Sequence, residues 1–439
     1  MHGRTSAYVE RLDMAKRAVT AASDATVGRA LGWSRWTVRK WRRAYSAGGK
    51  AGLTRRMGAP AVGILGRFPA AVGAAIDRMR RANPGWGAKT ILAELSKDGG
   101  FCGADLPSPS AIAAYIKVQH TPRPYRRHTE LAQAAQARST SAHEEWELDA
   151  QGAVRIPELG SACVINIVDT LSHVITASVA VGPGRAPKVL DYQLACRQAF
   201  TEFGLPQRIT LDHDTCFIEG TSPSPFPRQF HLWLLALGID VRFIEHPPPQ
   251  EHATIERAHY TMLRQALTGE LPPSWVRLNQ HLKARRTFYN EDYPSAALGD
   301  RAPLQAFPQA RHSGRSYAPN LEVDLLDLDR VAQYLAQHTW FRPVTPKGQV
   351  WIHDARYTIG QQWAEHTLTI RFDPATGDFC FTAEDGQQVA TRHACNLTSA
   401  YLMGDQADWL LLPTYQLHLP LSRDTIREAL LITTLRGTT

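Results

Sequence analysis

The sequence predicts a multidomain chain with an all-α tandem helix-turn-helix at the front, an α/β centre with a mixed sheet, and a small C-terminal β-barrel. Three observations carry this expectation. Apolar residues recur at helical spacing through the first 120 positions, β-branched runs replace that period from Trp146, and apolar and polar residues alternate singly in the last quarter.

At the front, Val9, Leu12, Ala15 and Val19 share one helical face, followed by Val27, Ala30 and Leu31, then by Val38, Trp41 and Tyr45. Gly32 breaks the period between the second and third sets, and Ser34 can cap the third helix by accepting a free backbone N–H. Burying Val38, Trp41 and Tyr45 turns Arg35, Thr37, Arg39, Lys40, Arg42 and Arg43 outward, a density of cations suited to a helix in the DNA major groove. Residues 1–60 are therefore expected to bind DNA. A second helical unit spans 61–120, with Val72, Ile76 and Met79, then Ile91, Leu92 and Leu95, then Ile112, Tyr115 and Ile116, and with Ser108 at a cap. It is less basic, so DNA contact and a structural role both remain open. Residues 121–143 read as a linker whose Arg123, Arg126 and Arg127 can track phosphates.

The central segment, 144–310, opens with a strand ending at Asp149. Two β-branched runs, 162–168 and 174–181, are joined at Asp169 to His173 as a hairpin. Helix (188–203), strand (208–211), helix (230–237), strand (240–244) and helix (251–267) then alternate, the pattern of a mixed sheet covered by helices. After a connector at 311–342, Val350 and Ile352, Leu368, Ile370 and Phe372, and Phe379 and Phe381 alternate with polar neighbours, so a barrel is expected at 343–402. The tail, 403–439, reads as helical near Ile426 to Leu431.

Charge is distributed unevenly. To Glu130 there are 23 Lys/Arg against 8 Asp/Glu, and beyond it 26 against 33, the profile of a DNA-binding arm on a mildly acidic body. Six scattered cysteines form no Cys-x-x-Cys, which argues against a disulfide framework and a zinc ribbon. No apolar run approaches the roughly 20 residues of a membrane helix, and Met1 to Thr5 opens no secretory leader. A cytoplasmic protein without membrane association is expected.

Asp149, Asp212 and Glu256 stand at a strand end, a strand end and within a helix, rigid supports for the oxygen ligands that hard divalent cations require. The blocks Trp146-Glu147-Leu148-Asp149, Ile209-Thr210-Leu211-Asp212 with Phe217 five residues on, and Pro249-Gln250 leading to Ile255-Glu256-Arg257-Ala258-His259 resemble the integrase catalytic core of DDE-type bacterial insertion-sequence transposases. Phe288-Tyr289-Asn290 with Pro294, Ala297, Leu298 and Pro303 resembles the segment after the catalytic helix in that family. Val38-Arg39-Lys40-Trp41, Gly52-Leu53, Asn83-Pro84-Gly85-Trp86-Gly87 and Leu106-Pro107-Ser108 resemble the tandem helix-turn-helix before it. The resemblance covers residues 1 to about 310, and the β-rich segment behind is similar to the barrel of phage Mu-like transposases.

The resemblance implies an RNase H-like fold with Asp149, Asp212 and Glu256 as catalytic and metal-holding triad, and two Mg²⁺ or Mn²⁺ ions as cofactors. It implies duplex DNA as partner, both element ends and target, a homo-oligomer in a synaptic complex, and a bacterial, nucleoid-associated location. Arg257 and His259 would contact DNA phosphate or order the site; plain helix surface is the alternative. Asp169 is read as a turn residue. The sequence departs from the family where His213-Asp214 replaces the usual Asn-Gly, where Ala253 replaces a glycine, and in the 43-residue gap from Asp212 to Glu256. Two other readings stay open: a transposase-derived DNA-binding regulator with an inactive core, and a nuclease that cuts without joining.

Overall fold

A computed structural model describes residues 6–21, 23–54, 63–101, 103–120, 139–219, 224–244 and 253–404. Arg123, Arg126, Arg127, Cys102, the Pro247-Pro248-Pro249 loop and the expected helix near Ile426 lie outside the described residues. The chain divides into two compact units, residues 1–73 with 110–120, and residues 74–109 with 121–439. Among the described residues no helix is long and apolar enough to cross a membrane.

The first unit holds α1 (Tyr8–Thr20), α2 (Asp24–Leu31) and α3 (Arg35–Gly52) around Met14, Ala15, Val27, Val38, Trp41 and Leu53. Gly32 ends α2 at φ 69°, a left-handed turn that glycine adopts without a Cβ penalty. Ser34 Oγ then accepts the Thr37 N–H at 3.1 Å and starts α3.

The boundary between the units falls within α4 (Ala70–Ala82), which leads into α5 (Ala88–Lys97) of the second unit; α6 (Pro109–Gln119) belongs to the first unit from its second residue on. The second unit is built on a five-stranded sheet of β1 (Glu145–Ile156), β2 (Gly160–Asp169), β3 (Ile175–Val181), β4 (Arg208–Leu211) and β5 (Asp240–Phe243), in the order β3-β2-β1-β4-β5. Tight turns join β1, β2 and β3, so these pair antiparallel. Crossovers through α7 (Val189–Phe203) and α8 (Gln229–Ala236) bring β4 and β5 in parallel to β1. One sheet face buries Trp146, Leu148, Ile165, Ile167, Ile209 and Leu211 with Phe200 and Trp233 of α7 and α8. The other buries Val164, Val168 and Ile175 with Ile255, Ala258 and Met262 of α9 (Ala253–Ala266) and Leu278 and Leu282 of α10 (Trp275–Glu291).

The Asn83-to-Gly87 loop between α4 and α5 docks on α9. Trp86 Nε1 donates to the Gln265 carbonyl at 3.1 Å, and Arg285 of α10 donates to Glu94 at 2.6 Å. At Gly85 an added Cβ would lie 2.2 Å from the Arg264 carbonyl oxygen, so the two backbones approach this closely only over glycine.

After α11 (Pro303–Ala306), α12 (Glu322–Leu325) and α13 (Leu328–Ala336), the C-terminal β segment departs from the expected barrel. β6 (Thr339–Pro343), β9 (Thr367–Asp373), β10 (Asp378–Thr382) and β11 (Gln388–His393) form an open antiparallel sheet in the order β11-β10-β9-β6. Among the described residues β7 (Gln349–Ile352) and β8 (Ala355–Thr358) pair only with each other. Closure requires a continuous hydrogen-bonded seam, whereas this hairpin meets the sheet through side chains. Tyr357 packs on Phe379 and Phe381 at ring distances of 5.6 and 5.9 Å. The described chain ends after α14 (Ser399–Met403).

Candidate active site

Strand alternation puts Glu145, Glu147 and Asp149 on one face of β1 and the buried Trp146 and Leu148 on the other. Each acid has a different partner. Glu145 accepts the Thr210 hydroxyl at 2.5 Å and pairs with Arg242 at 3.0 Å. Glu147 Oε2 accepts the Ile255 N–H at 2.9 Å, and Asp149 Oδ2 lies 3.0 Å from His259 Nε2.

Asp149 lies on β1, and Asp212 directly follows β4, the parallel neighbour of β1. Glu147 stands beside Thr210 in the parallel pairing of β1 and β4. That pairing ends there, two residues short of both Asp149 and Asp212. Both are half-buried. Burial raises the hydroxyl pKa of Tyr192 on α7, and the charges of Asp214, Cys216, Asp212 and Asp149 raise it further.

The third acid arrives on α9. The first turn of that helix has free N–H groups and a partial positive charge, and the buried Glu147 carboxylate meets both through Ile255. One turn later His259 reaches Asp149, so α9 is tied to β1 at two points that flank Glu256. Glu256 itself is exposed. Among the described residues no three His, Cys, Asp or Glu side chains are gathered closely enough to hold a metal ion.

The donor chemistry nevertheless fits a hard divalent cation. Asp149, Asp212 and Glu256 carry carboxylate oxygens, and Asp149 is held by Ala150 N–H on Oδ1 at 2.7 Å and by His259 against Oδ2.

Past β4 the chain is held by side chains in sequence. Asp212 Oδ1 accepts the Asp214 N–H at 3.1 Å, and Asp214 Oδ1 accepts the Cys216 N–H at 2.7 Å. Asp214 is exposed and does not take the left-handed conformation that the family's glycine would permit. Phe217 is buried against Tyr192 and Phe230 and anchors the turn. Asp169 is fully buried and closes the β2–β3 turn, accepting from Ser172 N and Oγ at 2.7 and 2.6 Å and from His143 N at 2.6 Å.

Of the two remaining α9 residues, Arg257 is exposed and depresses the His173 pKa, whose main cause is burial. His259 is buried and turned inward, a position that favours ordering the site over phosphate contact. On α3, Arg35, Arg39, Lys40 and Arg43 are exposed and Thr37 is half-buried. Arg42 instead forks onto Asp24 of α2 at 2.8 and 3.1 Å, and that hydrogen-bonded pairing holds the Asp24 carboxyl below its usual pKa. Arg35 and Arg39 stack on Trp36, which is 61% exposed. Sequence reading passed over Trp36, Glu147 and Asn166; the first could have been noticed as an aromatic amid cations, but the roles of the other two depend on α9.

No protein-family model and no curated protein matches the chain. It is similar to solved retroviral integrase structures. The catalytic core domain of HTLV-2 integrase in complex with magnesium (trimeric form) is 16% identical, with 38% of this chain and 99% of that one covered at a TM-score of 0.30. The core of BIV integrase is 14% identical over 38% and 95%, at 0.28. A simian T-cell lymphotropic virus intasome in complex with the PP2A regulatory subunit B56 gamma is 13% identical over 72% and 95%, at 0.32.

Proposed function

We propose that this chain is a DNA transposase with an RNase H-like, integrase-type core that binds the ends of a mobile element, cuts a strand and joins the freed 3′ end to target DNA. One observation carries the reading: Asp149 on β1 and Asp212 just past β4 each follow by two residues the parallel pair of Glu147 and Thr210, and α9, whose first turn bears Glu256, is tied to β1.

A phosphodiester resists attack because charge must build on oxygens that are already anionic. Two Mg²⁺ or Mn²⁺ ions held by Asp149, Asp212 and Glu256 would steady the attacking and leaving oxygens. The chain's own part is to hold carboxylates on rigid elements, with Asp149 fixed by Ala150 N–H and His259. Water and then a DNA 3′-OH would serve as nucleophiles, so no covalent Ser or Tyr is required. Exposed cations on α3 would hold duplex phosphates. Joining two ends to one target calls for at least two copies in a synaptic complex.

The test uses duplexes carrying any inverted repeats that flank the gene. Asp149→Asn and Glu256→Gln are each expected to abolish Mg²⁺-dependent cleavage while leaving equilibrium DNA binding nearly intact. A wild-type chain that binds these ends but never cuts them would instead be a regulator with an inactive core. Cutting without strand transfer would make it a nuclease.

A further inference from the structure

We propose that Asn166 and His259 form a relay that sets the position of the Asp149 carboxylate, with Asn166 as a positioning residue for the candidate metal centre. The inference rests on the reading of Asp149 as a ligand.

Asn166 lies directly opposite Asp149 in the antiparallel pairing of β1 and β2. It is fully buried on the face that holds Val164 and Val168, where an aliphatic residue would be the stable choice. Its Nδ2 is 2.6 Å from His259 Nδ1, while its Oδ1 finds no partner among the described residues. The sheet thus tolerates a buried, unpaired carbonyl in order to keep one hydrogen bond to an imidazole.

That bond fixes the imidazole. An ionised carboxylate only accepts, so the nitrogen facing Asp149, Nε2 at 3.0 Å, must carry the proton. Nδ1 is then left to accept, and the Asn166 amide nitrogen lies 2.6 Å from it. The chain of donors has one consistent polarity: Asn166 N–H to His259 Nδ1, then His259 Nε2–H to Asp149 Oδ2. With Ala150 N–H on Oδ1 at 2.7 Å, both carboxylate oxygens are held in place. His259 and Glu256 share the same helix, so the relay also fixes where the third acid sits relative to the first.

The experiment measures Mn²⁺ binding to the full chain by electron paramagnetic resonance of the free ion, with Asp149→Asn as baseline, alongside thermal melts. Asn166→Leu keeps volume and removes the donor, and is expected to raise the Mn²⁺ Kd about tenfold, the usual effect of losing an outer partner of a metal ligand. It should leave Tm unchanged or higher, because the unpaired carbonyl goes with it. His259→Phe is expected to weaken binding at least as much, and the double variant no further, since both substitutions interrupt one chain. A merely structural Asn166 would lower Tm and leave the Kd alone, and that result overturns the relay. If His259→Phe does not fold, Asn166→Leu decides by itself. Wild type binding no more Mn²⁺ than Asp149→Asn overturns the ligand reading of Asp149 and the relay with it, whereas an unmoved Kd in Asn166→Leu overturns the relay alone.

Discussion

Asp212 and Asp214 are two residues apart, and strand alternation alone would aim both the same way. Their surroundings separate them. Asp212 is half-buried and directly follows β4, whereas Asp214 is an exposed turn residue whose side chain accepts Cys216 N–H and whose carbonyl accepts the N–H groups of Phe217 and Ile218. Asp212→Asn is therefore expected to eliminate Mg²⁺-dependent cleavage and Asp214→Asn to leave a measurable fraction, compared on purified proteins with matching melts. The reverse order would move the metal site to Asp214. A second expectation concerns His231, buried in α8 between Phe243 and Tyr334 with neither ring nitrogen partnered among the described residues. Burial pushes its pKa down to about 3. The folded state stays neutral while the unfolded chain takes up a proton below about pH 6.5, so stability is present above that pH and is lost as pH falls. Between pH 7.5 and pH 5 this histidine should contribute a loss of about 2 kcal/mol. His231→Phe keeps the ring contacts and should melt closer to wild type at pH 7.5 than at pH 5, where the variant is the more stable. Equal differences at both pH values would contradict the assignment.

At the scale of elements, the position of α9 decides whether Glu256 can reach the aspartates. Glu147 does from a neighbouring strand what an N-cap residue does locally, accepting an N–H of the first turn and facing its partial positive charge. Glu147→Ala removes that anchor and is expected to cost about 1–3 kcal/mol, the penalty for stranding a buried donor. Hydrogen exchange should then accelerate at Ile255 and its helical neighbours but not in β2. Uniform acceleration would mean that Glu147 stabilises the whole sheet. On α3, Arg42 is tied to Asp24, Arg39 reaches the same carboxylate at 3.4 Å from an exposed position, and Lys40 and Arg43 are exposed. Replacing Arg39, Lys40 and Arg43 with Ala should reduce the slope of log affinity against log salt by roughly 2 to 3, at about 0.9 for each phosphate no longer neutralised. Arg42→Ala should lower the melting temperature and leave the slope nearly unchanged.

For the whole molecule, the division into units departs from the sequence segmentation. Residues 74–109 group with the sheet, and Trp86, Thr90 and Glu94 bond to Gln265 and Arg285. A fragment of residues 1–54 retains the complete core of Met14, Val27, Val38, Trp41 and Leu53 and sits in the size range where small helical domains fold alone. It is expected to give a cooperative helical melt and to bind duplex DNA with steep salt dependence. A longer fragment, 1–125, strips α5 of its partners, and its added residues should contribute little cooperative helicity. A fragment 1–54 without duplex affinity at low salt would remove the DNA-binding assignment from α3.

The sequence by itself determined what is local. Helical spacing located α1 to α3, although α1 buries Met14, Ala15 and Ala18 and leaves Val9 and Val19 exposed; β-branched runs located β2 and β3, and single alternation located the C-terminal strands, because side-chain period follows directly from backbone geometry. It also singled out Asp149, Asp212 and Glu256 as candidates and the cations around Val38 and Trp41 as an outward face. The tertiary structure alone decided which strand lies beside which, and so that β4 runs parallel to β1, that Glu147 caps α9, and that Asn166 addresses Asp149 through His259. It also left the C-terminal sheet open and docked the Gly85–Trp86 loop on α9. Register, sheet closure and docking depend on hydrogen bonds and packing between residues far apart in the chain, and no local period encodes those pairings.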